Sequence, residues 1–163
     1  MNIRIRQARP EDLSSIAALE AACFPAAEAA DSAAFEQRIK TFPESFFVAE
    51  VEGQIIGMIN GCVTDDETIS DILFEDSSRH NPHGRYQSIF GLDVLPGWQH
   101  KGIATILMTY LIHKAMDSGR EGLILTCKER LIPFYESFGY QNLGVSASTH
   151  GGAVWYDMIL ELK

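Results

Sequence analysis

The alternation of apolar and polar side chains divides the chain into strands and helices. Ile3 and Ile5 alternate with Arg4 and Arg6, a period of two that predicts an edge strand ending before Arg9-Pro10. Pro10, Glu11 and Asp12 then open a helix, since proline suits a first turn and acids suit its positive end. Leu13, Ile16, Ala17 and Glu20 carry its stripe as far as Phe24-Pro25. Asp31-Ser32 caps a second short helix with Phe35 and Ile39 on one face. Residues 46–51 and 54–63 read as strands flanking Glu52-Gly53, a two-residue hairpin signal. Residues 64–85 are polar, with a weak helical pattern around Ile69, Ile72 and Leu73, and 77–85 reads as a mobile loop.

The second half is patterned more strongly. Residues 86–95 read as one strand ending at Pro96-Gly97. Ile103, Ile106, Leu107, Tyr110 and Leu111 then recur at helical spacing, and Ser118-Gly119 stops that helix. Residues 123–127 form a short buried strand, and 131–138 a short helix with Pro133 in its first turn. Residues 140–145 and 153–162 read as closing antiparallel strands around a Gly151-Gly152 turn. The order β-α-α-β-β-loop-β-α-β-α-β-β predicts a mixed α/β sheet with helices on both faces.

Composition narrows the class. With 163 residues, 46% of them apolar, the expectation is a single domain over 1–163 with one sizeable core. Thirteen Lys and Arg stand against twenty-two Asp and Glu, a net charge of −9, and no basic run is long enough to grip a phosphate backbone. We therefore expect no nucleic-acid partner. The opening stretch lacks the apolar core of a secretory signal, and no apolar run reaches the ~20 residues of a membrane span. Cys23, Cys62 and Cys127 are widely spaced with no C-x-x-C, which fits buried thiols in a reducing compartment. A cytoplasmic location, no membrane partner and no metal site are the expectations.

The charge is uneven. Residues 1–80 hold fifteen acids and six bases, whereas 81–163 hold seven of each. Asp65, Asp66, Glu67, Asp71, Glu75 and Asp76 stand close together without a base between them. Such a run is either a solvated loop or a surface that collects cationic amines.

Chemistry concentrates between Leu92 and Thr105. A strand runs into a glycine-containing loop that feeds a long apolar helix, whose first turn offers free N–H groups and a positive dipole end to an anion. Gly97 and Gly102 have P-loop spacing, but Ile103-Ala104 stand where Lys-Ser/Thr must follow, and no G-x-G-x-x-G run exists. Gln99-His100-Lys101-Gly102-Ile103-Ala104 instead meets the Q/R-x-x-G-x-G/A signature in full. A second segment, Leu131-Ile132-Pro133-Phe134-Tyr135-Glu136-Ser137-Phe138-Gly139-Tyr140, follows a buried strand.

Together these segments resemble motifs A and B of the GNAT acyl-CoA N-acetyltransferase superfamily, and the second is most similar to the arylalkylamine (serotonin) N-acetyltransferases. The resemblance spans nearly the whole chain. It implies a mostly antiparallel twisted sheet with a splayed central strand pair that admits CoA. It implies acetyl-CoA as co-substrate, with backbone groups of Leu92, Asp93 and Val94 along the pantetheine and thioester. The turn of His100, Lys101, Gly102, Ile103, Ala104 and Thr105 would cradle the diphosphate. Tyr135 would be the general acid for the departing thiolate, and Cys127 as an acyl carrier is the ping-pong alternative. The expected reaction is direct acetyl transfer to a small primary amine, arylalkylamine- or polyamine-like, by a chain with room for a homodimer. A protein N-terminal or lysine acetyltransferase and a non-catalytic CoA-binding protein are the alternatives. One departure stands out: Ser88 and Phe90 occupy the positions of two histidines in the arylalkylamine enzymes. Neither can act as a base, so proton removal falls to another group, with Asp65, Asp66 and Glu67 as candidates. His150, before Gly151-Gly152, reads as a solvated turn residue.

Overall fold

The computed structural model describes residues 2–162; Met1 and Lys163, the ends of the expected domain, lie outside the described residues. The first sheet has the order β1-β2-β3-β6, from β1 (Arg4–Gln7), β2 (Phe46–Val51), β3 (Gln54–Asn60) and β6 (Gly91–Val94). All of its pairings are antiparallel, with β1 at one edge. The second has the order β4-β5-β7-β9-β8, from β4 (Val63–Thr64), β5 (Tyr86–Ile89), β7 (Gly122–Cys127), β9 (Tyr156–Glu161) and β8 (Gln141–Val145). Among the described residues its one parallel pairing is β5 with β7. The β2–β3 hairpin turns at Glu52 and Gly53, with φ of 49° and 81°, as a two-residue turn with two left-handed positions requires.

Helices cover both faces, as the pattern predicts. On one side α4 (Ile103–Asp117) sets Ile103, Leu107, Met108 and Leu111 against Ile56, Ile59, Val94 and Leu125. On the other, α1 (Leu13–Cys23) and α2 (Ser32–Thr41) pack Ile16, Leu19, Phe35 and Ile39 against Val48 and Met58. Two short helices, α3 (Asp71–Glu75) and α5 (Ile132–Glu136), lie after β4 and β7.

Two expected strands are broken, and the breaks make the site. The strand over 54–63 ends at Asn60 and resumes at Val63, and Gly61 in the break lies so close to the Ser88 carbonyl that a Cβ there would collide with it. The strand over 86–95 stops at Phe90: its first part joins β7, and its second part turns away to β3. Residues 77–85, expected to be a mobile loop, are tied down. The His80 ring is buried on Phe42 and accepts the Val63 N–H, while the Asn81 N–H donates to the Val63 carbonyl at 2.8 Å. The closing turn is also more elaborate than a Gly-Gly reversal, with a 3-10 turn over His150–Gly152 inside a longer connection.

Candidate functional site

The site begins where the two sheets part. Tyr86 to Ile89 pair with Gly122 to Leu125, but beyond Ile89 the chain leaves β7, so Thr126 and Cys127 have β9 on one side and a wedge on the other. The Leu95 N–H donates to the Ile56 carbonyl at 2.8 Å. Alternation along an antiparallel ladder then turns the N–H and C=O groups of Leu92 and Val94 away from β3. The Val94 carbonyl accordingly accepts from Gln99 Nε2 at 3.0 Å and Cys23 Sγ at 3.2 Å. Leu92 and Val94 thus present backbone to the wedge. Asp93, grouped with them from the sequence, does not: its backbone alternates toward β3, and its side chain is buried on the α1 side, 1% exposed.

The turn between β6 and α4 is bare. His100 and Gly102 have φ of 61° and 83°, and a Cβ on Gly102 would meet nothing within 4 Å. His100, Lys101 and Thr105 are exposed, Ala104 is half-buried and Ile103 anchors the helix in the core. The Ile106 N–H bonds the Gly102 carbonyl at 3.1 Å, so the N–H groups of Ile103, Ala104 and Thr105 precede the first bond of the helix and point out of its positive end.

A pocket opens from the wedge on the other side. Tyr135 lines it from α5, with Leu92 and Cys127. Burial, then the nearby Cys127 and Asp93, hold the Tyr135 phenol well above the ordinary tyrosine value, so it keeps its proton through the neutral range. Burial also pushes the Cys127 thiol up to about 11, the opposite of an activated nucleophile. Phe24, Phe74, Phe90 and Trp155 give the pocket aromatic walls. Ser88 is buried and donates to the Cys62 carbonyl at 2.9 Å.

The β8–β9 connection roofs the pocket. Ser148 donates to Asp71, and His150 Nε2 lies 2.8 Å from the Glu28 carbonyl, its ring 4.5 Å from Phe74. Lys128 Nζ pairs with Glu28 at 2.8 Å. Gly151 permits this approach, since a Cβ there would sit 2.5 Å from Glu28 Cγ. His150 is therefore a wall of the pocket, not a solvated turn residue. The acids that line it are Glu20, Glu28 and Asp71. Asp65 and Glu67 instead gather around Arg85, at 4.0 and 3.9 Å, and neither they nor Asp66 line the pocket.

A wedge between parting strands, a bare helix N-terminus on one side and a tyrosine-lined pocket on the other agree with the comparison of the chain with known sequences. Residues 13–140 match the model of the acetyltransferase (GNAT) family. The chain belongs to this family. Serotonin N-acetyltransferase of Mesocricetus auratus is 29% identical over 113 residues, 69% of this chain but 53% of that protein, so the chain spans about half the length of this relative. Among solved structures, a GNAT-like decarboxylase, GphF, in complex with isobutyryl-CoA has a TM-score of 0.85 at 23% identity, covering 98% of this chain and 100% of that one. The ribosomal-protein-S18-alanine N-acetyltransferase from Escherichia coli has a TM-score of 0.75 at 16% identity, covering 99% and 95%. At these identities the structures establish the fold, and one fold hosts several chemistries.

In this GNAT protein one further cluster had no signal in the sequence pattern. Arg38 lies in contact with the rings of Phe35, Phe74 and Phe90 and donates to Asn60 Oδ1 at 3.0 Å. Burial lowers its guanidinium to about 10, against the pull of Glu20 and Asp93. Glu20, from α1, accepts the Ala30 N–H on Oε2 at 2.9 Å. Among the described residues no three His, Cys, Asp or Glu side chains come together as metal ligands, and no helix is long and apolar enough to cross a membrane.

Proposed function

We propose that the chain transfers an acetyl group from acetyl-CoA to the nitrogen of a small amine bearing an aromatic or otherwise apolar body. The co-substrate supplies an activated acetyl carbon as a thioester. The residues present fit it: the open space at Gly102 and the free N–H groups of Ile103, Ala104 and Thr105 suit a diphosphate, with Lys101 as the nearby cation. The wedge edge formed by Leu92 and Val94 suits the pantetheine amides, and Val94 N–H suits the oxygen on which negative charge develops during transfer. Tyr135, protonated across the neutral range, is suited to give its proton to the departing sulfur.

The observation that carries the acceptor class is the roofed, aromatic pocket. Phe74, Phe90 and Trp155 suit a flat apolar body, and acids around them suit an ammonium. The contacts of Ser148 with Asp71 and His150 with Glu28 join separate connections across the pocket, which favours a compact acceptor over an extended peptide. A long polyamine fits less well than the sequence alone suggested, because the acidic run near Arg85 lies away from the pocket. The free thiols of Cys23, Cys62 and Cys127 support a reducing, cytoplasmic setting.

The test is CoA release with a panel of arylalkylamines, polyamines and N-terminal peptides, using the unchanged chain and Gly102→Glu. The variant sets a side chain and a negative charge where the diphosphate is expected, so acetyl-CoA affinity by calorimetry should fall at least ~10-fold, the size of a lost charge-assisted contact. Unchanged affinity in a folded variant would move the cofactor elsewhere, and faster turnover of peptides than of arylalkylamines would reverse the acceptor class.

A further inference from the structure

The least satisfied polar atoms of the site converge on Gly91. A Cβ on this residue would stand 3.2 Å from Asp93 Oδ1, 3.6 Å from Asn60 Nδ2 and 3.8 Å from Glu20 Oε1. Those three atoms and Asp93 Oδ2 are buried and have no hydrogen-bond partner. Asp93, Asn60 and Glu20 are 1%, 0% and 5% exposed, and Glu20 and Gly91 both line the pocket. Buried polar groups are nearly always partnered; a proton shared by the Asp93 and Glu20 carboxyls accounts for one contact, and the lone pairs and Asn60 amide it leaves open beside a ligand pocket mark a place for a ligand's polar atom. The Ala30 N–H holds Glu20 by Oε2, so Oε1 is the oxygen that faces Asp93 and Gly91.

We propose that Glu20, backed by Asp93, is the proton acceptor of acetyl transfer, its Oε1 meeting the acceptor nitrogen beside Gly91. This rests on the acetyl-transfer reading above. It fills the role left open by Ser88 and Phe90.

Burial, then the neighbouring Glu20, raise Asp93 well above the carboxylate range, so Asp93 keeps its proton and can share it with the Glu20 carboxyl beside it. The groups facing the pair are Arg38 from α2, Asn60 from β3, Cys23 from α1 and Tyr135 from α5. Arg38 balances the single negative charge of the pair. In water an alkylammonium and a carboxylate differ by about six pKa units, too many for proton transfer. In a desolvated pocket the transfer replaces two opposite charges by two neutral groups, and desolvation favours that change.

The steps balance. An N–H bond of the ammonium breaks and an O–H bond forms at Glu20 Oε1. The freed lone pair makes the C–N bond to the acetyl carbon as the C–S bond breaks. The sulfur takes the Tyr135 proton, the second proton of the nitrogen restores Tyr135 through solvent, and the proton on the pair leaves to bulk water.

The experiment compares 2-phenylethylamine, protonated at pH 7, with aniline, neutral there. Glu20→Gln should lower kcat/KM for 2-phenylethylamine ~10²-fold at pH 7, with recovery as pH rises toward the amine's own pKa, while aniline loses far less. Acetyl-CoA affinity should not change. Gly91→Ala keeps both acids but puts a methyl group in the gap, and should show the same selectivity; it serves if Glu20→Gln does not fold. Independently of turnover, infrared spectra at pH 7 should show a protonated carboxyl stretch that Asp93→Asn removes. Equal losses for both amines, or no such band, would overturn the role of the pair while leaving acetyl transfer standing. No transfer by the unchanged chain to any amine would overturn the acetyl-transfer reading, and the role of the pair with it.

Discussion

A phenol is a weak acid in water, and Tyr135 is weaker still where it sits. Desolvation on α5 penalises the phenolate, and Cys127 and Asp93 add to the penalty. Tyr135 therefore keeps its proton through the neutral range, and in the proposed reaction it gives that proton up only to a thiolate that the same desolvation makes more basic than in water. Tyr135→Phe removes that donor and little packing. Turnover should fall ~10²-fold from pH 6 to 9 while acetyl-CoA binding persists, checked by steady-state kinetics beside calorimetry. Unaltered turnover would make the hydroxyl structural. That Tyr135 stands on a short helix after a buried strand was legible in the sequence because the Pro-Phe-Tyr run carries its own context. Asp93 was grouped with Leu92 and Val94 as a backbone contact because the sequence does not show which strand residues turn their N–H and C=O groups to the one neighbouring strand, nor that Glu20, on another element, meets the Asp93 side chain. Glu28 and His150 were missed for a related reason: their roles arise only when two distant connections close on each other.

At the scale of elements, periodicity located the helices and hairpin well. The stripe from Ile103 to Leu111 is α4, and Glu52-Gly53 is the β2–β3 turn. It failed where strands change sheets, because the side-chain alternation of 86–95 runs straight through the break at Phe90. It failed also at 77–85, where polar residues hide one anchor. The His80 ring has a side chain 5% exposed and lies 3.7 Å from Glu44. Burial lowers its pKa below the ordinary histidine value, so the native ring is neutral and accepts the Val63 N–H at 3.0 Å. The unfolded chain then binds a proton more readily than the folded one as pH falls below ~6.5. This stabilising contribution is whole above that value and is lost on acidification toward the native pKa. Urea unfolding should show a drop in stability between pH 7.5 and 5.5 that His80→Asn flattens. His80→Ala should cost ~1–3 kcal/mol at pH 7.5 by leaving the Val63 N–H unpaired. A wild-type midpoint constant over that range would remove the anchor role.

Across the whole molecule, the division of charge was readable but its purpose was not. Among the acids of the first half, Asp65 and Glu67 are held by Arg85 beside Tyr86, while α1, α3 and the α1–α2 connection bring Glu20, Asp71 and Glu28 to the pocket. Only the folded chain distinguishes them. The same holds for the parting of β6 from β7, which no single residue encodes and which the topology of both sheets enforces. Its consequence extends to solvent exchange. The amides of Leu92 and Val94 lie within the sheet layer, yet the wedge denies them a strand partner, whereas the amide of Leu95 is bonded to Ile56. In deuterated water Leu92 and Val94 should exchange ahead of Leu95, giving an alternating pattern along one short strand. Adding CoA should slow those two and leave Leu95 as it was, so the opening can be followed by nuclear magnetic resonance with no acceptor present. The fold leaves an interior sheet edge unpaired, and a CoA arm bound as proposed would complete its ladder.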